Sequence, residues 1–314
     1  MDTVEPLVSV SCITYNHALY IRQCLDGFAM QKTTFPFEVL IHDDASTDGT
    51  IDIIKEYEKK YPHIIKPIYE DENQWMKGRK GTRVFNYPRA KGKYIAFCEG
   101  DDYWTDPLKL QKQVDFLEAH PNYGLVHGYA KSYNEKNKSF DDKLIGSDFK
   151  DADQIIIANK VITLSACARM DLYGLYLKEI ASNPSWKMSD YPLWIYIALK
   201  SKVYFLNEVV GVYRVLENSA SHSNDIEKEI DFLYNAYSVS NFFAINNGKR
   251  YLLYDIKKNL LYSVLHTYVV KNHKADKKLW HIIKDLKVFT FKGTLLLTLV
   301  CSKYGRNYLR NRWS

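Results

Sequence analysis

Three carboxylates flank one glycine in the segment Glu99-Gly100-Asp101-Asp102. The segment directly follows a short apolar run, Tyr94 to Cys98, that is typical of a buried strand. Crowded carboxylates repel one another unless a cation or hydrogen-bond donors offset their charge, and Mg²⁺ or Mn²⁺ takes oxygen ligands of this kind. One interpretation of the cluster is therefore a metal site. The alternative is a solvated acidic turn, since acidic side chains are mostly exposed.

Two other strand-like segments end in residues that suit the same site. The segment Leu7 to Ile13 leads into a first polar loop, and Phe37 to Ile41 leads into a second. The residues after these segments include Thr14, Tyr15, Asp43 and Asp44. If the three strands are neighbours in a parallel sheet, their loops meet in one crevice at the carboxyl edge of the sheet.

A pyrimidine nucleotide would fit such a crevice. A carboxylate can accept the ring N–H of the base, an aromatic side chain can flank the ring, and a second carboxylate can accept the ribose hydroxyls. An acidic loop repels a bare diphosphate, so charge balance requires a metal ion, which Asp101 would hold. The chain has no Gly-x-Gly-x-x-Gly motif and no Walker-type loop, which argues against dinucleotide or ATP chemistry.

Strands and helices alternate in the part of the chain that must position these residues. The apolar spacing predicts helices over Ala18 to Met30, over Ile51 to Tyr61, around Val84 to Ala90 and over Lys109 to His120, with further strands over Ile64 to Ile68 and Tyr123 to Tyr129. This alternation predicts an α/β fold, with a mostly parallel sheet that helices cover on both faces.

The later part of the chain becomes helical. A helix is predicted over Tyr191 to Leu199, followed by two short strands, Val203 to Phe205 and Val209 to Val215. From Glu227 onward the pattern is almost wholly helical. We therefore expect one domain over residues 1–225 and a helical region over residues 226–314.

The composition fits a globular protein with a basic tail. The chain has 314 residues, 46% of them hydrophobic, and its five cysteines lack metal-type spacing. No signal peptide is recognisable at the start, so we expect a cytoplasmic location. Residues 271–314 hold 11 Lys or Arg and 2 Asp or Glu. The tail also contains Trp280 and Trp313. We therefore expect it to bind peripherally to the inner, anionic face of the membrane. The alternative is a basic terminal helix packed on the protein.

The three motifs together resemble those of family-2 glycosyltransferases. They are Val8 to Asn16, then Asp43 to Thr50, then Ala90 to Phe97 followed by Glu99-Gly100-Asp101-Asp102, in that order and each at a strand end. The resemblance is strong over about residues 7–125 and thinner to about residue 222. It implies the GT-A fold, a nucleotide-sugar donor, Mg²⁺ or Mn²⁺ as cofactor, and inversion of the anomeric centre.

The resemblance also implies roles for individual residues. Tyr15 would lie against the base and Asp44 would accept its N–H, with Asp43 in support. The Asp-x-Asp motif of the family falls on Glu99-Gly100-Asp101, so that Asp101 would bind the metal and Glu99 either the ribose or the metal. Two interpretations stay open for Asp102, which would contact the donor sugar or cap the following turn.

Three more residues follow from the resemblance beyond residue 180. Asp190, in Met188 to Trp194, is the candidate catalytic base, although Asp before Tyr191-Pro192 is also a common helix start. Arg214 would stabilise phosphate charge or pair with an acidic neighbour. His222 would contribute near the diphosphate as a metal ligand, and a surface-loop histidine is its alternative.

The expected function is metal-dependent transfer of a sugar from a UDP-sugar to a hydroxyl of a glycan or lipid-linked acceptor, as in bacterial surface polysaccharide assembly. The expected partners are therefore this donor and acceptor and an anionic membrane, and no nucleic acid. Two alternatives remain. One is a member of the family that binds nucleotide-sugars without catalysis. The other is a nucleotidyltransferase, although the first loop lacks the basic, Gly-rich character that a triphosphate site normally needs.

Overall fold

The computed structural model describes residues 5–180, 186–217, 225–288 and 291–313. The chain forms two compact units. The first unit comprises Met1–Lys150, Lys160–Asn183 and Tyr196–Val215, and the second comprises Asp151–Asn159, Pro184–Ile195 and Leu216–Ser314. The predicted single boundary at residue 225 is close to the last of these divisions, but it does not separate the two short internal segments that belong to the second unit.

A mixed sheet forms the first unit. The strands β1 (Val8–Thr14), β2 (Phe37–Asp43), β3 (Ile65–Tyr69) and β4 (Tyr94–Phe97) are all parallel, in the order β3-β2-β1-β4. The predicted α/β sheet is therefore confirmed in this half. Both β1 and β2 are buried along nearly their whole length, as expected for strands covered on two faces.

The other half of the sheet adds antiparallel pairs. Its strands are β5 (Tyr103–Trp104), β6 (Tyr123–Asn134), β7 (Ser139–Ile145), β8 (Cys167–Arg169) and β9 (Lys202–Val215). β8 runs antiparallel to β4 and to β6, β9 is parallel to β6, and β5 is antiparallel to β9. This half places the segment after β4 next to the last strand of the unit.

Four α-helices lie wholly within the first unit, as far as it is described: α1 (Ile21–Ala29), α2 (Thr50–Lys60), α3 (Lys109–Ala119) and α5 (Met170–Glu179). In α1 the apolar residues Ile21, Leu25 and Phe28 are spaced for one helix face, and all three are fully buried. Burying a side chain of this size stabilises the fold by about 1.5–3 kcal/mol. α1 starts three residues later than predicted, because residues 17–20 form a turn closed on the carbonyl of His17.

Two predicted elements differ in form. Instead of an α-helix around Val84 to Ala90, a π-helix over Thr82–Asn86 is followed by a 3₁₀-helix over Tyr87–Arg89. Pro88 has no amide hydrogen, which prevents a regular helix from continuing. The two strands predicted between Val203 and Val215 are one strand, since a shift in register opposite Gly128 and Tyr129 takes up the intervening polar residues.

The second unit is helical throughout its longer segments, as predicted. It contains α4 (Ala152–Ile157), α7 (Ile226–Asn246), α8 (Leu253–Val270), α9 (Lys277–Leu286), α10 (Phe291–Cys301) and α11 (Lys303–Trp313), while α6 (Tyr191–Lys200) starts here. Residues from α7 to α11, such as Ile230, Val264 and Leu309, form one buried cluster. Among the described residues, no helix has both the length and the apolar character required to cross a bilayer.

Candidate functional site

The three predicted strand ends meet at one edge of the sheet in the first unit. β1 lies between β2 and β4 and runs parallel to both, with Thr14 opposite Asp43 in register. Beyond β4 the chain continues alongside β1, because the amide of Gly100 donates to the carbonyl of Ile13 at 2.9 Å. The prediction that the three loops start at one edge is therefore confirmed.

Hydrogen bonds tie the first loop to the second. The amide of Asn16 donates to Ser46 Oγ and the amide of His17 donates to Thr50 Oγ1, both at 2.8 Å. In return, the amide of Thr47 donates to Asn16 Oδ1 at 2.8 Å. Asn16 has a φ of 54°, a conformation that Asn tolerates better than most residues. These cross-links fix the backbone on both sides of the first two strand ends.

Asp43 orders the second loop. Its fully buried carboxylate accepts the amide of Ser46 at 2.9 Å and the hydroxyl of Ser46 at 2.6 Å. Burial raises the pKa of Asp43, and the hydrogen bonds from Ser46 oppose that rise. Both carboxylate oxygens are therefore used within the loop, which suits a supporting position behind Asp44.

Asp44 holds a third loop at the same edge. Its Oδ1 accepts the amide of Gln74 at 2.5 Å, and its Oδ2 accepts the amide of Trp75 at 3.1 Å. The Asp44 amide in turn donates to the carbonyl of Thr14 at 2.9 Å. Because each carboxylate oxygen has two lone pairs, both oxygens can still accept one further donor.

Two aromatic side chains near Asp44 are half exposed. Tyr15 is 46% exposed and Trp75 is 53% exposed. The Lys80 ammonium lies 4.3 Å from the centroid of the Trp75 ring, within the range of a cation–π interaction. Trp75 is not among the site residues predicted from the sequence; an isolated Trp in a polar, basic stretch is the signal that could have identified it.

Gly100 allows the acidic loop to approach the first loop closely. A side chain at this position would come within 2.7 Å of Thr14 Oγ1 and 3.0 Å of His17 Nδ1. The following carboxylate, Asp101, points Oδ2 toward His17 Nε2 at 4.0 Å. Burial lowers the pKa of His17 and outweighs the opposing effect of Asp101. Glu99, on the other side of Gly100, has an exposed side chain.

Asp102 and Arg214 fasten the acidic loop to β9. The buried Asp102 Oδ1 accepts the backbone amide of Arg214 at 2.8 Å. The buried Arg214 guanidinium donates to the carbonyl of Asp101, to Gln23 Oε1 and, at 2.8 Å, to Glu135 Oε1. Burial, followed by repulsion from Asp101, raises the pKa of Asp102 well above its ordinary value.

These contacts bear on the alternatives that the sequence left open. Arg214 pairs with an acidic neighbour, Glu135, and Asp102 holds the backbone of β9. Both residues therefore hold the main chain of Asp101 in place: Asp102 accepts the Arg214 amide, and the Arg214 guanidinium donates to the Asp101 carbonyl. Direct contacts of Asp102 with a donor sugar and of Arg214 with phosphate stay predictions.

The three strand ends at this edge of the sheet lie within a region that matches a known family. The Glycosyl transferase family 2 profile matches residues 9–176, which is more than half of the chain. The chain belongs to glycosyltransferase family 2. The match includes the strand ends that carry Tyr15, Asp44 and Asp101, and it stops before Asp190 and Arg214.

Several curated relatives are similar to the chain. An uncharacterized protein of Mycobacterium tuberculosis is 51% identical over 114 residues, which is 36% of this chain and 32% of that protein, so the matched part spans about a third of this relative. WfaP of Escherichia coli, a UDP-Glc:alpha-D-GlcNAc-diphosphoundecaprenol beta-1,3-glucosyltransferase, is 32% identical over 68% of this chain and 80% of its own length. The putative teichuronic acid biosynthesis glycosyltransferase TuaG of Bacillus subtilis is 29% identical over 70% of this chain and 84% of its own length.

Solved structures show the same fold. S. aureus TarS 1-349 in complex with UDP-GlcNAc has a TM-score of 0.63 at 18% identity, covering 98% of this chain and 91% of that chain. The mannosyltransferase PcManGT from Pyrobaculum calidifontis, in complex with GDP-Man and Mn²⁺, has a TM-score of 0.57 at 17% identity, covering 98% and 88%. The GT-A fold predicted from the sequence is therefore confirmed for this family 2 chain.

Two further predicted site residues are Asp190 and His222. Asp190 belongs to the second unit and directly precedes α6, where its carbonyl accepts the amide of Trp194 at 3.0 Å. The helix start that the sequence predicted at this position is thus present, and the role of Asp190 as a base stays a prediction. His222 lies outside the described residues.

The acidic loop fits the divalent metal that family 2 members use. Asp101 Oδ1 is buried without a hydrogen-bond partner among the described residues, and such an oxygen is a ready ligand for Mg²⁺ or Mn²⁺. Within the described part of the chain, no group of three His, Cys, Asp or Glu residues is placed to hold a metal alone. Phosphate oxygens of a substrate would have to complete the coordination, as is usual for Mg²⁺.

Proposed function

We propose that this chain transfers a sugar from a nucleotide-sugar, first of all a UDP-sugar, to a hydroxyl of a glycan or lipid-linked acceptor, with inversion and with a divalent metal. The observation that carries the proposal is the convergence of Tyr15, Asp44 and Asp101 at one sheet edge. The name of WfaP supports the donor class and the lipid-linked acceptor, and the name of TuaG supports a role in surface polysaccharide synthesis.

The base of the donor would lie between the first and second loops. Uracil presents a ring N–H that a carboxylate can accept, and Asp44 retains acceptor capacity although it already binds two backbone amides. Asp44 binds the amide of Trp75 and the carbonyl of Thr14, the residue before Tyr15, and both aromatic side chains are half exposed, which suits stacking on a base. The Thr14 carbonyl holds the Asp44 backbone in place, and Asp43 shapes the loop.

The diphosphate would lie over the acidic loop. Asp101 would be the main metal ligand, with Glu99 as a second ligand or as the acceptor for ribose hydroxyls. When bound, a divalent metal acts as a Lewis acid that neutralises charge on the departing diphosphate. Asp102 and Arg214 would keep the Asp101 backbone rigid, because they fix it to β9. We also propose that Arg214 and His222 contact the diphosphate directly.

The transfer would be a single in-line displacement. Asp190 would take the proton from the acceptor hydroxyl while that oxygen attacks the anomeric carbon of the donor. The bond from the sugar to the diphosphate oxygen breaks as the new glycosidic bond forms. One displacement from the opposite face inverts the configuration at this carbon, so the product anomer reports directly on the mechanism.

A panel of nucleotide-sugars tests the proposal. The intact protein is incubated with UDP-Glc, UDP-GlcNAc, UDP-Gal or GDP-Man, with Mn²⁺, Mg²⁺ or EDTA, in the presence and absence of an undecaprenyl-diphosphate-linked sugar. We expect release of UDP from at least one UDP-sugar, stopped by EDTA and increased by the acceptor. A rise in melting temperature with UDP but no turnover of any sugar would instead indicate a protein that only binds the donor.

A further inference from the structure

Three buried polar atoms belong to Thr14, His17 and Asp101, which lie around Gly100 or next to it in the chain. Thr14 Oγ1, His17 Nδ1 and Asp101 Oδ1 have no hydrogen-bond partner among the described residues. A Cβ at Gly100 would lie 2.7 Å from Thr14 Oγ1 and 3.0 Å from His17 Nδ1. Leaving a buried polar atom unpaired costs about 1–3 kcal/mol. Such a cluster beside the acidic loop indicates that a bound ligand supplies polar contacts at this place.

The Thr14 side chain provides the most stringent observation. It is only 1% exposed, yet its hydroxyl faces the glycine between Glu99 and Asp101 without a partner in the described part of the chain. Buried hydroxyls are normally hydrogen-bonded, either within the protein or to ordered water. The Thr14 hydroxyl therefore belongs to a polar site and not to the packed hydrophobic core.

The His17 ring is held by its backbone and by an aromatic contact. The His17 amide donates to Thr50 Oγ1, and the ring lies edge-on to Tyr20 with centroids 6.3 Å apart. Neither contact uses a ring nitrogen. His17 is thus fixed in place while its Nε2 faces Asp101 at a distance of 4.0 Å from Oδ2.

This distance suits two ligands of one metal ion. Atoms that each lie about 2.1 Å from an octahedral ion are about 3 Å apart when adjacent and about 4.2 Å apart when opposite. The 4.0 Å between His17 Nε2 and Asp101 Oδ2 is close to the larger of these two distances. A direct hydrogen bond would require a shorter distance, of about 2.7–3.2 Å.

We infer that His17 Nε2 is a protein ligand of the donor-site metal, together with Asp101. This inference rests on the proposed function, since the metal is the one that would bind the diphosphate. It gives the first loop two tasks, because Tyr15 would flank the base while His17, two residues later, binds the ion. The sequence predicts a histidine ligand at His222, which lies outside the described residues, and His17 would provide such a ligand within them.

The inference makes a prediction about metal preference. Imidazole nitrogen is a softer ligand than carboxylate or phosphate oxygen, and it favours transition metals over Mg²⁺. A site with Asp101 and His17 should therefore prefer Mn²⁺ to Mg²⁺. Replacing His17 should weaken Mn²⁺ binding more than Mg²⁺ binding and so reduce the difference between the two ions.

Electron spin-echo spectroscopy of bound Mn²⁺ tests the inference directly. The wild-type protein is prepared with Mn²⁺ and UDP, once with natural-abundance histidine and once with ¹⁵N-labelled histidine. We expect a ¹⁴N coupling from an imidazole that changes to the ¹⁵N pattern on labelling. This measurement needs no variant and no turnover, so it does not depend on activity or on the folding of a mutant.

Two variants complete the test. His17→Gln should lose the nitrogen coupling and bind Mn²⁺ in the presence of UDP at least tenfold more weakly, while His63→Gln, at an exposed loop histidine, should behave as wild type. Bound Mn²⁺ without any histidine coupling in the wild-type protein would overturn the inference and leave the proposed function intact. Absence of Mn²⁺ binding with UDP would instead overturn the metal-dependent function itself.

Discussion

Asp190 has a structural role at a helix start, and we propose a chemical role for it as well. It directly precedes α6, and its carbonyl accepts the amide of Trp194 at 3.0 Å. A residue fixed at the start of a helix presents its carboxylate in a defined direction, which favours proton transfer from a positioned hydroxyl. The sequence predicts the helix start from Asp190 and Pro192, whereas the role as a base rests on the resemblance to family 2.

Asp190→Asn should separate binding from chemistry. An amide cannot take the proton of the acceptor, so turnover should fall by about 10²–10⁴-fold, while UDP affinity should stay unchanged because the proposed donor contacts lie elsewhere in the chain. The measurement is the sugar-transfer rate together with calorimetric titration of UDP. Asp171→Asn, an exposed acid in the first turn of α5, is the matched control. Transfer by Asp190→Asn at the normal rate would show that Asp190 is not the base.

Asp102 marks a limit of sequence reasoning at the scale of single residues. Its partner, the Arg214 amide, lies 112 positions away in the chain. No local pattern reveals whether an acid in Glu99-Gly100-Asp101-Asp102 is exposed or buried, because the pairing of β5 with the distant strand β9 brings Asp102 to Arg214. For the same reason, the resemblance predicts that Asp44 contacts the base, but the sequence does not show that Asp44 holds the amides of Gln74 and Trp75.

Long elements were predictable, and short ones were not. β1 and β2 are seven residues long and rich in apolar and β-branched side chains, so their positions follow from the sequence within a residue or two. β5 has two residues and β8 has three, and such short strands exist only because a longer neighbour pairs with them. The polar middle of β9 resembles a turn, so the sequence predicts two strands there. Pairing with the long strand β6 instead holds β9 as one strand with a bulge.

The terminal helices present aromatic and basic side chains to solvent. Tyr304 is 88% exposed and Tyr308 is 57% exposed, and their spacing places them on one face of α11. Lys303 and Arg310 are also exposed. By contrast, Arg306 is buried and donates to the carbonyl of Val300 at 2.8 Å, so part of the basic tail stabilises the second unit. We propose that the exposed α11 face binds an anionic membrane surface.

Replacing both tyrosines tests this face without deleting the packed helices. Tyr304→Ser combined with Tyr308→Ser should reduce cosedimentation with vesicles of phosphatidylglycerol and phosphatidylcholine, and added salt should weaken the remaining binding because of charge screening. Tyr251→Ser, at another tyrosine of the second unit that is 66% exposed, is the control. Equal sedimentation of the double variant and the wild type would exclude this face as the membrane contact.

At the scale of the whole molecule, the division into units was only partly predictable. The change from alternating strands and helices to helices alone is visible in the sequence and places the boundary near residue 225. Residues 151–159 and 184–195 nevertheless belong to the second unit. Their contacts explain why: Tyr191 donates to the carbonyl of Ile155, and Lys249 pairs with Asp153 at 2.6 Å. Such long-range contacts leave no local signature in the sequence.

The central claim is that a metal held by Asp101 binds a nucleoside diphosphate at the edge of the sheet where β1, β2 and β4 end. Titration of UDP with and without metal tests this claim most directly. Calorimetry is carried out with the wild type, with Asp101→Asn and with Asp142→Asn, an exposed acid on β7, each in Mn²⁺ and in EDTA, which gives six affinities. We predict that Mn²⁺ tightens UDP binding at least tenfold, about 1.4 kcal/mol, in the wild type and in Asp142→Asn but not in Asp101→Asn. Equal UDP affinity in Mn²⁺ and EDTA for the wild type, or an undiminished gain in Asp101→Asn, would contradict the claim.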